Sequence, residues 1–180
     1  MADNRIRVYT IGHSNRSISE FVGLLLAYSI SLVIDVRVAP SSKKNPQFNM
    51  ATLKRSLSEN GLSYLHIKEL GGMRKPLKDS KNTAWINDSF RGYADHMQTS
   101  EFDRAIGRVL ALAAKKRTAI MCAEAVPWRC HRSMISDALI AKGADVEHIL
   151  SATSSRPHAL TGFAKVSRGR VTYPSKQGRL

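Results

Sequence analysis

The residues with the strongest chemical potential are concentrated in one stretch, RTAIMCAEAVPWRCHRSMISDALIAK, at residues 117–142. An apolar run rich in β-branched residues is followed there by a loop and then by an amphipathic helix pattern. The eleven residues from Cys122 to Arg132 hold both cysteines of the protein, a carboxylate, an imidazole and two guanidinium groups, and the candidate site residues among them are Cys122, Glu124, Cys130, His131 and Arg132. Such groups can supply a nucleophile and its base, so the stretch predicts a site more firmly than it predicts a reaction.

Nucleophilic catalysis by a cysteine is the first possibility. Cys130 is the better thiolate candidate, because free amides and the dipole at a helix start lower the pKa of a nearby thiol. Cys122 is the other candidate, although a packed and inert cysteine is a common alternative. The base would be His131, Glu124 or His13. The layout resembles that of cysteine phosphatases and rhodaneses, but Cys122 precedes Arg132 by ten residues, a longer spacing than theirs.

Anion binding is the second possibility. Arg37 and Arg132 can each hold two oxygens of a phosphate, a sulfate or a carboxylate. The alternative is that Arg132 forms a buried structural ion pair with Glu124 or Asp35, since structural networks use the same residue types. Two aromatic residues, Tyr93 and Trp128, are predicted to contact a flat ligand: Tyr93 follows the long loop, and Trp128 lies beside Pro127 in the loop between the cysteines.

A metal site is the third possibility, and the sequence disfavours it. Thiolate and imidazole ligands would select zinc, with His13 or His66 as a further ligand. However, no C-x-x-C pair occurs, and the adjacent residues Cys130 and His131 are awkward co-ligands. We therefore predict no metal, and the sequence indicates no particular cofactor.

The composition limits the number of domains and the kinds of partner that can be expected. The chain has 180 residues, of which 43% are hydrophobic, which favours one domain, assigned to residues 1–155. Residues 156–180 contain basic residues and no Asp or Glu, which predicts a mobile or loosely docked basic tail. The formal net charge of +14 attracts phosphates, so a small anionic ligand, a nucleotide or a nucleic acid is an expected partner. The sequence says nothing about oligomeric state.

The apolar pattern excludes membrane proteins from the expected classes. No uninterrupted apolar run approaches the roughly 18 residues that a membrane span needs, and the N-terminus lacks a signal-peptide pattern. We therefore expect a cytoplasmic protein without a membrane partner, in which the two cysteines are free thiols or metal ligands and do not form a disulfide.

Alternating strand and helix patterns predict an α/β fold. Strands are predicted at residues 5–11, 31–36, 62–67, 117–123 and 146–150, and helices at residues 17–28, 49–60, 90–97, 99–113 and 133–142. The first helix begins with a capping box formed by Ser17 and Glu20. These elements predict a mainly parallel sheet of about four to five strands with helices on both faces.

In such sheets ligands bind beyond the carboxyl ends of the strands. Polar residues and a glycine pair follow the four best predicted strands and are expected to converge on one edge of the sheet: His13, Ser14, Asn15, Asp35, Arg37, Glu69, Gly71, Gly72, Cys122 and Glu124.

A set of motifs between Val8 and Leu150 resembles the domain of unknown function 488 family: YTIGHSN, DVRVAPSS, PQFN, ELGG, SFRGYADHM and MCAEAVPWRCHR. The resemblance implies an α/β fold with a site built from these loops, and it supplies no reaction. The positions that match the family pattern are His13, Ser14, Asp35, Arg37, Pro40, Gly71, Gly72, Tyr93, Cys122, Glu124, Cys130, His131 and Arg132.

Two functions remain in competition. The first is an enzyme-like domain that binds a phosphorylated ligand and reacts through a cysteine. The second is a non-catalytic nucleic-acid-binding module that uses its basic surface and tail. Their salt dependence and their response to Cys130→Ser separate them.

Overall fold

A computed structural model describes residues 5–176, and this part of the chain contains eight strands and five α-helices. The strands are β1 (Arg7–Gly12), β2 (Leu32–Asp35), β3 (Ser63–His66), β4 (Thr118–Cys122), β5 (Asp145–Ser151), β6 (Ser154–Pro157), β7 (Lys165–Ser167) and β8 (Arg170–Thr172). The helices are α1 (Ile18–Ala27), α2 (Met50–Glu59), α3 (Asp88–His96), α4 (Ser100–Ala113) and α5 (Arg132–Ala141). Every predicted strand and helix is present, with boundaries shifted by at most two residues.

The main sheet has the strand order β3-β2-β4-β1-β5-β6, and β7 and β8 form a separate two-stranded sheet. The first five strands in this order are parallel, and β6 is antiparallel to β5. The sheet is therefore mainly parallel, but its six strands exceed the predicted four to five. The additional strand has the polar sequence SSRP, which lacks an apolar period and ends in proline, so no strand pattern indicated it.

The ends of the helices follow from local sequence. The predicted capping box of α1 is confirmed: Ser17 Oγ accepts a hydrogen bond from Glu20 N at 3.1 Å, and Glu20 Oε2 accepts one from Ser17 N at 2.8 Å. Gly61 and Gly143 follow α2 and α5 with φ of +76° and +88°. Glycine adopts this left-handed conformation without steric cost, so both helices end there.

Helices cover both faces of the main sheet. One core cluster lies between the sheet and helices α1 and α2, and the other between the sheet and helices α3, α4 and α5. Alternate residues of β4 point to opposite clusters: Ala119 and Met121 belong to the first, Ile120 and Cys122 to the second. Burial on both faces explains why β2 and β4 read as almost continuous apolar runs.

The C-terminal segment is packed on the domain, which corrects the prediction of a mobile or loosely docked arm for residues 156–176. Tyr173 is fully buried, its hydroxyl donates to Asp137 Oδ2 at 2.7 Å, and its backbone N–H donates to Asn82 Oδ1 at 2.9 Å. Burial raises the pKa of Tyr173, so its phenol remains a donor. The prediction rested on the basic residues of the segment, and these do not indicate that Tyr173 is buried. Residues 177–180 of the predicted tail and residues 1–4 lie outside the described residues, and the division at residue 155 stays a prediction.

The long connection between β3 and α3 is held by one buried carboxylate. Asp95 accepts hydrogen bonds from Leu77 N at 2.9 Å, Ser80 Oγ at 2.6 Å and Asn82 Nδ2 at 2.8 Å. Backbone also rests directly on α3, where a Cβ added to Gly92 would lie 2.4 Å from a carbonyl oxygen of the connection. These contacts hold residues 74–82 of the connection against α3.

Among residues 5–176, none of the helices combines the length and the apolar character that crossing a lipid bilayer requires.

Candidate functional site

A cleft of about 800 Å³ opens beyond the carboxyl ends of β1, β2 and β4. Its walls come from the segments that follow these strands, from the connection before α3 and from α3 itself. The lining residues with chemical potential are His13, Ser14, Arg37, Tyr93, Cys122, Glu124, Arg129, Cys130 and His131. Parallel pairing places the strand ends side by side, with Gly12 opposite Cys122 and Asp35 opposite Met121.

The chain after β1 is tied to the chain after β4. His13 N donates to Cys122 O, and Ser14 N donates to Ala123 O, both at 2.9 Å. The residue before them must be glycine, because a Cβ on Gly12 would lie only 1.7 Å from Glu124 O. The loop that carries the cysteines therefore rests on the backbone of β1.

A buried ion pair forms the wall after β2. Arg37 Nε and Nη2 donate to the two carboxylate oxygens of Asp35 at 2.9 and 2.6 Å. Arg37 Nη2 also donates to Phe48 O at 2.8 Å, and Tyr64 donates its hydroxyl to Asp35 Oδ2 at 2.7 Å. Burial, with Asp35 beside it, raises the pKa of Tyr64 and keeps it a donor. Asp35 thus neutralises most of the charge that Arg37 brings to the cleft.

His13 is held as a neutral imidazole. Its Nδ1 donates to Ser14 O at 2.7 Å, which leaves Nε2 to accept from Arg37 Nη1 at 3.3 Å. The ring stacks on Phe48 with centroids 4.2 Å apart. Burial lowers the pKa of His13, and the positive charge of Arg37 acts in the same direction.

Cys122 and Cys130 form a pair deep in the cleft. Both are free thiols, and their sulfur atoms are 2.9 Å apart. The hydrogen bond from Cys130 lowers the pKa of Cys122, while the same hydrogen bond and burial raise the pKa of Cys130. The pair therefore loses its first proton more readily than an isolated thiol and holds its second more tightly.

This proton distribution differs from the sequence-based preference for Cys130 as the thiolate. Cys130 Sγ does accept a hydrogen bond from the backbone N–H of Arg132 at 3.4 Å, as expected at a helix start. The sequence could not show that the Cys130 thiol would point at Cys122. Because the two sulfurs are in contact, loss of the first proton belongs to the pair and not to either cysteine alone.

Arg132 lies behind the cysteine pair and forms no carboxylate salt bridge within residues 5–176. Its side chain is only 1% exposed. Nη2 donates to the backbone oxygens of Glu124 and Ala125 at 3.2 and 3.3 Å, while Nε and Nη1 are buried without a hydrogen-bond partner. After the hydrogen bond from Cys130, the positive charge of Arg132 further lowers the pKa of Cys122.

His131 closes the floor of the cleft between the thiol pair and α3. Its Nε2 donates to Val36 O at 3.3 Å, and its Nδ1 lies 3.5 Å from Cys130 Sγ. Burial lowers the pKa of His131 to about 4, so the ring is neutral at physiological pH. The ring centroid lies 5.0 Å from that of Tyr93, and a Cβ on Gly72 would come within 3.0 Å of His131 Nδ1.

Comparison with known families identifies the chain. A sequence model described as Domain of unknown function DUF488 matches residues 17–139, more than half of the chain. The chain belongs to the DUF488 family. The match runs from the first residue of the α1 capping box into α5, so it includes the site segments after β2, β3 and β4, and it begins after His13. Neither the curated proteins nor the solved structures give a match.

The DUF488 structure places most of the predicted site residues around the cleft: His13, Ser14, Arg37, Gly72, Tyr93, Cys122, Glu124, Cys130 and His131. Their functional roles stay predictions. Asp35 lies beneath Arg37 and is fully buried. Gly71 does not line the cleft either, and a Cβ there would meet Val38 at 2.7 Å.

Two predicted ligand contacts are located elsewhere. Arg132 is buried behind the cysteines and does not line the cleft, because its guanidinium turns back to the loop carbonyls. Trp128 is 59% exposed and lines a different cleft of about 420 Å³, together with Trp85. There the guanidinium carbon of Arg156 lies 5.9 Å from the Trp128 ring centroid.

Sequence reasoning missed one residue that lines the DUF488 cleft and two residues that contact the Asp35–Arg37 ion pair. Arg129 is the exposed cation of the wall, and only its position beside Cys130 could have indicated it. Phe48 supplies both the stacking partner of His13 and a carbonyl for Arg37. Tyr64 reaches Asp35 from the neighbouring strand, which the pairing of β2 with β3 would have indicated.

A buried chain of hydrogen bonds adjoins the second cleft and was also not predicted. Thr10 Oγ1 bonds His148 Nδ1 at 2.6 Å, His148 Nε2 bonds His158 Nδ1 at 2.9 Å, and His158 Nε2 bonds Asp137 Oδ1 at 2.8 Å. Burial lowers the pKa of His148 to about 3. The members are far apart in sequence, so no motif marks them.

Within the described part of the chain, no group of three or more His, Cys, Asp or Glu side chains is arranged to hold a metal ion.

Proposed function

We propose that the DUF488 cleft is an active site in which a thiolate of the Cys122–Cys130 pair attacks a ligand that carries a phosphate or another anionic group. The observation that carries the proposal is the buried guanidinium of Arg132, which lies beside the two thiols and has no carboxylate partner among residues 5–176.

An isolated buried cation is unfavourable, because burial removes its hydration without supplying a counter-charge. Arginine cannot relieve this by losing its proton. Removing one proton from the thiol pair supplies an anion nearby: Arg132 Nη2 and Cys122 Sγ both contact Glu124 O, at 3.2 and 3.8 Å, so they are at most 7.0 Å apart. This arrangement supports one thiolate per pair at neutral pH, and a thiolate is the reactive form of cysteine.

A neutral imidazole lies beside the thiol pair. His131 Nδ1 lies 3.5 Å from Cys130 Sγ, and the donation of Nε2 to Val36 O leaves Nδ1 as the acceptor. Because burial lowers the pKa of His131 to about 4, the ring is a hydrogen-bond partner of Cys130, and the proton that the thiol pair loses at neutral pH passes to solvent. Glu124 is exposed on the cleft and is the candidate for proton transfer to the ligand, whereas both ring nitrogens of His13 are engaged by Ser14 O and Arg37 Nη1.

The anionic group of the ligand is assigned to the wall at Arg129. This guanidinium is exposed, whereas Arg37 is neutralised by Asp35 and Arg132 is buried away from the opening. Ser14 adds a hydroxyl on the same cleft. The net charge of +14 favours the approach of anions from solution.

Ligand binding is tested by whether anions protect the thiolate from alkylation. The rate of iodoacetamide alkylation at neutral pH is measured with and without phosphate, sulfate and nucleotides, for the wild type and two variants. Arg129→Ala should weaken the protection that phosphate gives, and Arg55→Ala, an exposed cation of α2 outside the cleft, should leave it unchanged. Anions that do not protect the wild type would contradict the proposed ligand.

Turnover tests the chemical step. The wild type, Cys122→Ser and Cys130→Ser are assayed on a panel of phosphate monoesters and diesters, with circular dichroism as the test of folding. We expect product release by the wild type and its loss in Cys122→Ser with the fold retained. A Cys122→Ser protein with wild-type turnover would refute the role of the thiolate.

Nucleic-acid binding without catalysis is the second candidate function. The exposed ring of Trp128 with Arg156 above it favours this alternative, because exposed aromatic and basic side chains bind unpaired bases and phosphates. Binding of single-stranded oligonucleotides should then fall steeply from low to moderate salt, decrease in Trp128→Ala and survive Cys130→Ser. Binding that does not respond to Trp128→Ala would refute this candidate.

A further inference from the structure

Cys122 and Cys130 are the only cysteines of the chain, and the fold brings them together from the two ends of one loop. Cys122 ends β4, and Cys130 precedes α5. Their sulfur atoms are 2.9 Å apart, compared with about 2.05 Å in a covalent disulfide. Both residues line the cleft, so a small oxidant that enters it meets the pair.

We infer that the pair is a redox-active dithiol, which hydrogen peroxide converts into an intramolecular Cys122–Cys130 disulfide. This goes beyond the proposed function, since the disulfide can form whether or not the cleft turns over a substrate. The oxidised form lacks the nucleophile, so the same reaction would switch off the proposed activity reversibly.

The reaction has two steps. The Cys122 thiolate attacks one oxygen of the peroxide: an S–O bond forms, the O–O bond breaks and hydroxide leaves, which gives a sulfenic acid. The Cys130 sulfur then attacks the sulfur of Cys122: the S–S bond forms, the S–O bond breaks, and the departing hydroxide leaves as water with the proton of Cys130. In total, two thiols are oxidised to one disulfide and one peroxide is reduced to two molecules of water.

The geometry supports each step. Cys130 is already directed at Cys122, so the resolving thiol needs little movement once the sulfenic acid has formed. The two sulfur atoms need to approach by less than about 1 Å, from 2.9 Å to about 2.05 Å, so rotation of the two cysteine side chains is sufficient. Arg132 stabilises the reduced form, since the disulfide removes the negative charge beside a guanidinium that forms no salt bridge to a carboxylate among residues 5–176. We therefore expect the disulfide to be labile toward dithiols.

Peptide mapping tests this inference without a variant, because Arg129 lies between the cysteines. The full-length protein is treated with one equivalent of hydrogen peroxide, its remaining thiols are blocked, and it is digested with trypsin under non-reducing conditions. Cleavage after Arg117, Arg129 and Arg132 separates the peptides TAIMCAEAVPWR and CHR unless a disulfide joins them.

We expect the joined peptide in the oxidised wild type and its disappearance after dithiothreitol. Cys130→Ser is the matched control, in which the first peptide should gain one oxygen as a sulfenic acid that dimedone traps. A wild type that keeps both thiols, or that shows only sulfinic or sulfonic acid or disulfides between chains, would overturn the inference. If the peptides are joined but turnover does not depend on Cys122, only the proposed function is refuted. If turnover depends on Cys122 but the peptides are not joined, only the disulfide is refuted.

Discussion

Replacing Arg132 by methionine is expected to raise the first pKa of the cysteine pair. Methionine keeps an unbranched side chain in the buried position and removes the charge. The guanidinium Nη2 lies at most 7.0 Å from Cys122 Sγ, the sum of their distances to Glu124 O. At an effective dielectric constant of about 20, unit charges at this separation interact by about 2 kcal/mol, equivalent to a pKa shift of roughly 1.5–2 units. Thiolate alkylation at neutral pH should therefore slow by roughly 10- to 100-fold.

The assay is the rate of iodoacetamide alkylation as a function of pH for the wild type and two variants. Arg132→Met should move the midpoint of the pH profile upward. Arg129→Met is the matched control, because it removes an exposed cation of the same cleft whose field is screened by water and salt. Its midpoint should shift much less.

Measuring the stability of Arg132→Met distinguishes this electrostatic effect from loss of the fold. Two buried nitrogens of Arg132, Nε and Nη1, have no hydrogen-bond partner among residues 5–176, and replacing a buried charge by an apolar side chain is often neutral or stabilising. We therefore expect Arg132→Met to unfold at nearly the same urea concentration as the wild type. A folded Arg132→Met protein with an unchanged pH profile would refute the claim that the guanidinium stabilises the thiolate.

Three further predictions concern the support of the site. Asp35→Asn leaves the buried Arg37 guanidinium without its carboxylate and should lower the free energy of unfolding by about 3–5 kcal/mol. The exposed control Asp88→Asn should lower it by less than about 1 kcal/mol. Equal losses of the two variants in urea denaturation would contradict this prediction. Gly12→Ala places a Cβ 1.7 Å from a backbone oxygen and should destabilise the protein by about 1–3 kcal/mol or more. Gly107→Ala in α4 has open space around it and should stabilise the protein by about 1 kcal/mol. Thermal unfolding should show a lower melting temperature for the first variant and a higher one for the second. Because the pKa of His131 is lowered from 6.5 to about 4, its contribution to the free energy of unfolding is complete above pH 6.5 and is lost as the pH falls toward 4, by up to about 1.4 kcal/mol per pH unit. In His131→Gln, the free energy of unfolding from urea titrations should depend less on pH over this range. An unchanged pH dependence would count against a buried neutral ring.

The order of elements could be predicted because each carries a local signal. Apolar runs at β2 and β4, the capping box at Ser17 and the glycines after α2 and α5 act over a few residues, so sequence patterns reveal them. The rule that ligands bind at strand carboxyl ends then places His13, Arg37 and Cys122 on one edge of the sheet. β6 escaped prediction because an edge strand of polar sequence has no such pattern.

The side-chain geometry of the site could not be predicted, because it depends on contacts between distant segments. The helical position of Arg132 indicates a helix start, but not that its side chain turns back to the carbonyls of the preceding loop. The seven residues between Cys122 and Cys130 do not fix the distance between their sulfur atoms. The partnership of Tyr64 with Asp35 requires the register of two strands.

Titration of the two thiols in the wild-type protein tests the central claim most directly. The ultraviolet absorbance of the thiolate is followed from acid to alkaline pH, and the doubly substituted protein Cys122→Ser/Cys130→Ser provides the baseline. We predict that one thiolate per chain appears well below the ordinary thiol pKa of about 8.5 and that the second appears well above it. Two thiols that titrate together at or above about pH 8.5 would contradict a thiolate held beside Arg132.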